Sequence, residues 1–416
     1  MRILLVAWGS RGDVVPLVAL GRGLAGAGHE VSVAVARDLA HLVTEAGLAC
    51  RPFAISLERE QDPVVARWLA GSHRPYRELQ LMRAALRHFA PILAGGLAAM
   101  VEDADAVVSG VISTAGLASW ARRTGRPLVA ATLLPQYPTA CADASLYPVR
   151  PGHSRLNRLA GRLQLALGHS LFGPAATATQ RELGQPPAGL RGYLDAVKGT
   201  PTVIGVSPTL LPPPPDWPAH LHVTGAWRPP VPLDYLPPEP LAAFLAERPA
   251  PVYLGFGSMP SLDSAALRAL VLEATGRAGV RAVLGGALHD GATPATRLSA
   301  TAISVAPVPF GWLLPRTAGV VAHGGVGTAD AALAAGVPIA VVPHISDQYH
   351  WGRRVHDLGA GPAPLPRRDL TVDRLAGRLA ALREPALRAR ASLLGQQLSR
   401  EDGVARAVET ITGVLT

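Results

Sequence analysis

The chain has 416 residues, of which 49% are hydrophobic and 17% charged, and its formal net charge is +9. That length exceeds what one core usually holds, and the composition excludes a disordered chain, so two well-buried domains are expected. Arginine carries almost all the positive charge, Lys198 being the sole lysine, and no basic run has interleaved aromatics, which argues against nucleic acid as a partner.

Arg2 to Ala7 is a short apolar run and reads as a buried strand. Trp8-Gly-Ser-Arg-Gly-Asp13-Val-Val-Pro16 follows, then a helical pattern (Leu17, Leu20, Leu24) that stops at Gly26-Ala-Gly28. With a second strand at Val31 to Ala36, this is a βαβ unit, the opening of a doubly wound sheet whose ligands bind beyond the carboxyl ends of the strands. Asp13 therefore lies at a ligand-facing edge. From position it fits a helix N-cap first and a general base second, and the two roles are compatible. Ser10, Arg11 and Gly12 beside it are either turn residues or phosphate contacts.

Leu79 to Met100 reads as a helix, Ala106 to Val111 and Leu128 to Leu134 as strands. Asp103-Ala-Asp105 has the spacing of a metal-binding pair but sits before a strand, where such carboxylates usually face solvent. From Gln136 to Val197 periodicity weakens and Pro, Gly, Tyr and His accumulate, so loops holding a variable substrate are expected. After a strand at Val203 to Val206, the prolines of 212–215 and 229–240 read as a stiff linker. The expected division is 1–210, a linker at 211–240, a second α/β domain at 241–395, and a helix at 396–416 that returns to the first domain.

The second half restarts at Val252 to Phe256, which ends in Gly257-Ser258-Met259; that turn is either a plain βα loop or a phosphate contact through Ser258. Strands at Arg281 to Leu284 and Ala302 to Val305 and a short helix near Trp312 lead to the stretch that organises this half. Gly319 to Ala322 is a buried strand, His323-Gly-Gly-Val-Gly-Thr328 follows it, and an Ala-rich helix comes next. Glycines that admit close backbone approach, at a helix end with unpaired N–H groups and a positive dipole, make a diphosphate cradle. His323 and Thr328 can donate to the same phosphates. Asp347 and Gln348, one strand later, suit a grip on sugar hydroxyls. The remainder, Val372 to Leu382, Pro385 to Leu398 and Gly403 to Val414, reads as helix. The two cysteines, Cys50 and Cys141, lack metal or redox spacing and read as structural. A strand at the very start and no run of about 18 apolar residues predict a cytoplasmic chain without a membrane span.

Four motifs, Gly-Ser-Arg-Gly-Asp-Val-Val-Pro at 9–16, Gly-Phe-Gly-Ser-Met at 255–259, His-Gly-Gly-Val-Gly-Thr at 323–328 and Asp-Gln-Tyr-His-Trp-Gly-Arg-Arg-Val at 347–355, occur in this order over nearly the full length. In them the chain resembles the family 1 glycosyltransferases of the GT-B fold, most closely the bacterial antibiotic (glycopeptide-type) and sterol glucosyltransferase branch. The resemblance implies an α/β architecture of two doubly wound Rossmann-like domains facing each other across a cleft. It implies inverting transfer of a hexose from a nucleotide sugar, UDP- or dTDP-linked, to a lipophilic acceptor such as a polyketide, peptide antibiotic or sterol, with no metal and no cofactor. Asp13 stands where many members carry a catalytic His and the glycopeptide branch an Asp. The resemblance places the diphosphate on His323 and the amides of Gly324, Gly325, Val326, Gly327 and Thr328, with Ser258 opposite. It places the base against Val308 and the donor sugar on Asp347 and Gln348. Val305 stands where plant members stack a Trp on uracil, Ala331 where they place a ribose-binding Glu, and Ser109 where members with a His base place its supporting Asp. Two rival readings are a GT-B-like nucleotide-sugar epimerase or hydrolase and a non-catalytic nucleotide-sugar-binding homologue.

Overall fold

The computed structural model describes residues 1–56, 63–70, 75–257, 264–289, 291, 293–345 and 347–415. The chain divides into two compact units, Met1–Pro229 with Asp402–Thr416, and Pro230–Glu401.

The first unit is built on seven parallel strands: β1 (Arg2–Val6), β2 (Glu30–Ala36), β3 (Ala49–Phe53), β4 (Ala106–Ser109), β5 (Leu128–Thr132), β6 (Thr202–Ile204) and β7 (Leu221–Val223). Their order in the sheet is β3-β2-β1-β4-β5-β6-β7. The helices are α1 (Arg11–Gly26), α2 (Ala40–Thr44), α3 (Pro63–Ala70), α4 (Pro75–Glu102), α5 (Val111–Thr124), α6 (Arg155–Glu182) and α7 (Gly189–Gly199). The two-residue period of a strand explains why β1 is apolar throughout: Leu4 and Val6 enter the core on one face, Ile3 and Leu5 the core on the other. The chain winds outward in both directions from β1 and β4, so the sheet's switch point lies between their carboxyl ends.

The second unit begins with α8 (Glu239–Ala246) and has six strands: β8 (Val252–Gly255), β9 (Ala282–Gly285), β10 (Ala295–Arg297), β11 (Ala302–Val305), β12 (Gly319–Ala322) and β13 (Ile339–Val341). Between and after them run α9 (Ser264–Ala278), α10 (Phe310–Leu313), α11 (Val326–Ala334), α12 (Gln348–Asp357), α13 (Val372–Ala381) and α14 (Pro385–Leu398). The sheet order is β10-β11-β9-β8-β12-β13, parallel except that β10 runs antiparallel to β11. Its switch point lies between β8 and β12. The last helix, α15 (Gly403–Leu415), packs on α1 within the first unit: Ala407 and Ile411 enter that core, and Gly23 leaves the space that Val404 and Val408 occupy.

Several expectations need correction. The segment 136–197, read as loops, contains the 28-residue α6 as well as α7. Its helical period is blurred by Gly161, Gly168, Gly173 and Pro174, and tertiary packing supplies the reason. A Cβ at Gly161 would press on Pro138, and Gly116 of α5 admits Thr179 of α6. Tyr137 and Tyr193 of this segment are core rather than loop residues: Tyr137 donates to the Val197 carbonyl at 3.1 Å and pairs with Thr202 Oγ1 at 2.7 Å, and Tyr193 is buried too. Residues 221–223, expected within the linker, form β7 and extend the first sheet. The Asp103 and Asp105 carboxylates are engaged by Arg51 and Arg2. One described helical stretch, Leu79–Glu102, is long and apolar enough to cross a membrane by length and composition, which the count of apolar runs passed over. Phe89, Leu93, Leu97 and Val101 on it are buried in the core of the first unit.

Candidate active site

Each switch point carries one of the residues singled out in the sequence. At the first, Ser10 caps α1 and Asp13 is the third residue of the helix rather than its N-cap. The Ser10 backbone N–H donates to Asp13 Oδ2 at 2.8 Å, and the Ser10 hydroxyl donates to the same oxygen at 2.9 Å. This is a capping box, in which a carboxylate one turn into the helix satisfies an orphan donor at its start. Gly9 is indispensable to it: its φ is +138°, and a Cβ there would overlap the Asp13 carboxylate. Loss of water around the carboxyl raises the Asp13 pKa above the ordinary carboxylate value, and the Ser10 hydrogen bonds oppose that rise. Asp13 nevertheless keeps an exposed surface, so water on its open side limits the displacement. The hydroxyl and N–H of Ser10 are thus committed to orienting Asp13. Ser109, at the end of β4, is fully buried and donates to the Gly110 carbonyl.

The second switch point is made differently. His323 follows β12, and its ring lies between two glycines: a Cβ at Gly257, after β8, would come within 2.8 Å of Cε1, and one at Gly325 within 2.8 Å of Nε2. Nδ1 is buried without a hydrogen-bond partner, which leaves Nε2 as the nitrogen able to meet a ligand. Burial lowers the His323 pKa to about 4, with the Gly255 backbone opposing, so the free ring is neutral near pH 7. Gly324 turns the chain at φ +92°, tight against Val341 and the Gln348 carbonyl. Gly325 then caps α11 without any side-chain hydrogen bond. Among the described residues, no backbone acceptor takes the N–H groups of Gly324, Gly325, Val326 or Gly327. Four free donors at the positive end of a helix are an anion site by composition. Thr328 sits in the same first turn.

Further along the edge, Asp347 caps α12, and its Oδ2 accepts the Trp351 indole N–H at 3.0 Å. Gln348 Oε1 accepts the backbone N–H groups of His344 at 2.8 Å and Ile345 at 3.2 Å, clamping the loop after β13. Val308 lies partly exposed in the loop after β11. Ser258 falls outside the described residues. Ser10, Arg11, Gly12 and Asp13 are thus grouped in the first unit, and His323 to Thr328, Asp347, Gln348 and Val308 along one sheet edge of the second.

Two residues at this edge escaped the sequence reading. His344, after β13, packs its ring 5.5 Å from that of Phe256, and its pKa is lowered to about 3 by burial and then by Arg367 and His323. Tyr253 stands on β8 with its hydroxyl over Gly255 and Gly285, where a Cβ on either would collide with it. A tyrosine two residues before a glycine in a strand, with a second glycine closing the neighbouring strand, was the available signal. It needed the β8–β9 register, Gly255 opposite Gly285, to be read.

Residues 3–138 match the glycosyltransferase family 28 N-terminal domain, and residues 278–409 the C-terminal domain of erythromycin biosynthesis protein CIII-like proteins. The chain is 31% identical to an O-mycaminosyltylonolide 6-deoxyallosyltransferase of Streptomyces fradiae, over 98% of this chain and 96% of that protein. It is 28% identical to a sterol 3-beta-glucosyltransferase of Arabidopsis thaliana over 98% of its own length, and spans 65% of that relative. Among solved structures, a glycosyltransferase of kitacinnamycin superposes with a TM-score of 0.70 at 20% identity, over 100% of this chain and 99% of that one.

Proposed function

We propose, from the premise that the chain belongs to the family 1 glycosyltransferases of the GT-B fold, that it transfers a hexose from a nucleotide sugar to a hydroxyl of a bulky, lipophilic natural product. The observation that carries this reading is the order of chemistry along the carboxyl edge of the second sheet. From β13 through β12, β8 and β9 to β11 lie the Asp347–Gln348 pair after β13, the open amides with His323 after β12, the glycine gap at Gly257 after β8, the Tyr253 hydroxyl reaching from β8 over Gly285 of β9, and the Val308 loop after β11. Sugar, diphosphate, ribose and base are joined in that order in a nucleotide sugar. Four inter-strand steps span about 19 Å, the scale of one extended molecule of that kind.

In this reading the α11 N-terminus and His323 stabilise the departing diphosphate by fixed dipoles and hydrogen bonds, taking the part a metal plays elsewhere. Asp13 accepts the acceptor's hydroxyl proton as the oxygen attacks the anomeric carbon from the side opposite the leaving group. Attack from that side inverts the anomeric centre. An ordinary carboxylate, with a pKa of about 4, is a weak base for an alcohol. The desolvation that raises the Asp13 pKa moves it in the useful direction. Ser10 holds the carboxylate in position through Oδ2, leaving Oδ1 for the acceptor.

UDP-glucose is the favoured donor and a dTDP-deoxysugar the second, since the relatives divide between a glucosyltransferase and a 6-deoxyallosyltransferase. A cytoplasmic location goes with these donors. The test is a matrix of UDP- and dTDP-sugars against lipophilic acceptors, read by mass spectrometry, with the anomeric configuration of the product assigned by NMR. Transfer with inversion is the expected result. Nucleotide-sugar turnover that needs no acceptor, or a retained configuration, would overturn the reading.

A further inference from the structure

Tyr253 is 6% exposed, yet its hydroxyl makes no hydrogen bond to any described residue. A hydroxyl without a partner inside the chain is left for water or a ligand to satisfy. It is absent from the sealed, unpartnered polar atoms, so its oxygen reaches open space. The geometry around it is specific. Val252 and Leu254 turn into the core beneath the sheet with Val271 and Ala274 of α9, so Tyr253 stands on the opposite face. There its ring meets Phe310, the first residue of α10, edge to face at 5.5 Å. It leans along β8 toward the carboxyl end, and the two glycines that face each other across β8 and β9, Gly255 and Gly285, leave room for the hydroxyl. An alanine at either would displace it. The chain therefore gives up two side chains to deliver one phenol to the sheet edge, between the diphosphate cradle and the Val308 loop.

We infer that the Tyr253 hydroxyl hydrogen-bonds the ribose of the bound nucleotide and so sets affinity for the nucleoside part of the donor. The inference rests on the donor reading above and deepens it: a phenol rising from β8 supplies a polar contact to the furanose. Tyr253 touches ligand but no reacting atom, so it governs binding and not the chemical step.

The experiment is calorimetric titration of the full chain, wild type, Tyr253→Phe and His323→Ala, with UDP and separately with inorganic pyrophosphate. The phenylalanine variant keeps the ring and its packing on Phe310. Its thermal midpoint without ligand should be unchanged, because the hydroxyl makes no hydrogen bond within the chain. Tyr253→Phe should weaken UDP roughly three- to tenfold and leave pyrophosphate binding as in wild type, whereas His323→Ala should weaken both. UDP affinity equal to wild type in Tyr253→Phe would overturn the inference and return the residue to the core. An equal loss for pyrophosphate would also overturn it, since the hydroxyl would then serve the phosphates. If His323→Ala changes neither affinity, the donor reading itself fails, an outcome distinct from failure of Tyr253 alone.

Discussion

The two switch points use one local device, a strand, a glycine turn and a helix, and complete it in opposite ways. At the start of α1 the chain supplies its own anion: the Asp13 carboxylate takes the Ser10 N–H and hydroxyl and sits at the positive end of the helix. At the start of α11 no side chain among the described residues does so: Gly325 is the cap, and the amides of Gly324 to Gly327 meet no described backbone acceptor. A helix N-terminus that carries its own carboxylate repels a second anion, while one left bare recruits it. Under the proposed function the pair separates proton acceptance, on the first unit, from diphosphate binding, on the second, without any difference in fold class.

The sharpest way to break that contrast is to remove the self-supplied carboxylate. Asp13→Ala should lower kcat by roughly a hundredfold or more, the usual scale for a lost general base, and leave nucleotide affinity in place. Steady-state kinetics beside UDP titration would show both, and unchanged turnover ends the catalytic assignment of Asp13. Next in size is closing the bare end. Gly325→Ala puts a methyl against His323 Nε2, and nucleoside diphosphate binding should fall roughly tenfold to a hundredfold, as for loss of hydrogen bonds to a charged group. An alanine variant that binds UDP or dTDP as wild type does would show that Nε2 is not the contact.

A smaller effect sharpens the comparison through pH. His323 and His344 are held neutral, with pKa values lowered to about 4 and about 3 from an ordinary 6.5. Below pH 6.5 the unfolded chain takes up protons at both that the folded chain refuses, so stability falls as pH drops from 6.5 toward 4 and levels off once the folded rings titrate. Asp13 contributes with the opposite sign: its raised pKa favours the protonated folded form, so its cost to stability is present at neutral pH and disappears in acid. The thermal midpoint should therefore decline between pH 6.5 and 4, and His344→Phe should make that decline shallower. An equal decline in the variant would assign the acid sensitivity elsewhere.

Much of this molecule is legible in one dimension because its strands are short and buried on both faces. Apolar runs such as Arg2–Val6, Ala302–Val305 and Gly319–Ala322 mark themselves, and the glycines that end them mark the turns. α6 did not, since its glycines answer to Pro138 and to its neighbouring helix rather than to the helix itself. β7 did not either, three residues long and framed by prolines. Asp13, His323, Asp347 and Gln348 could be named because each lies in the loop or first helical turn after a strand and carries a side chain suited to the role proposed for it. Their partners could not: Ser10 held against Asp13, Trp351 against Asp347 and the backbone of 344–345 against Gln348 are contacts of geometry. The sequence alone determined that the chain is built twice from strand, glycine turn and helix, because backbone sterics and two-faced burial are local. Only the tertiary structure decided which strands are neighbours. Strand order is set by contacts between distant segments, and that order lines up Gln348, His323, Tyr253 and Val308 along a single edge.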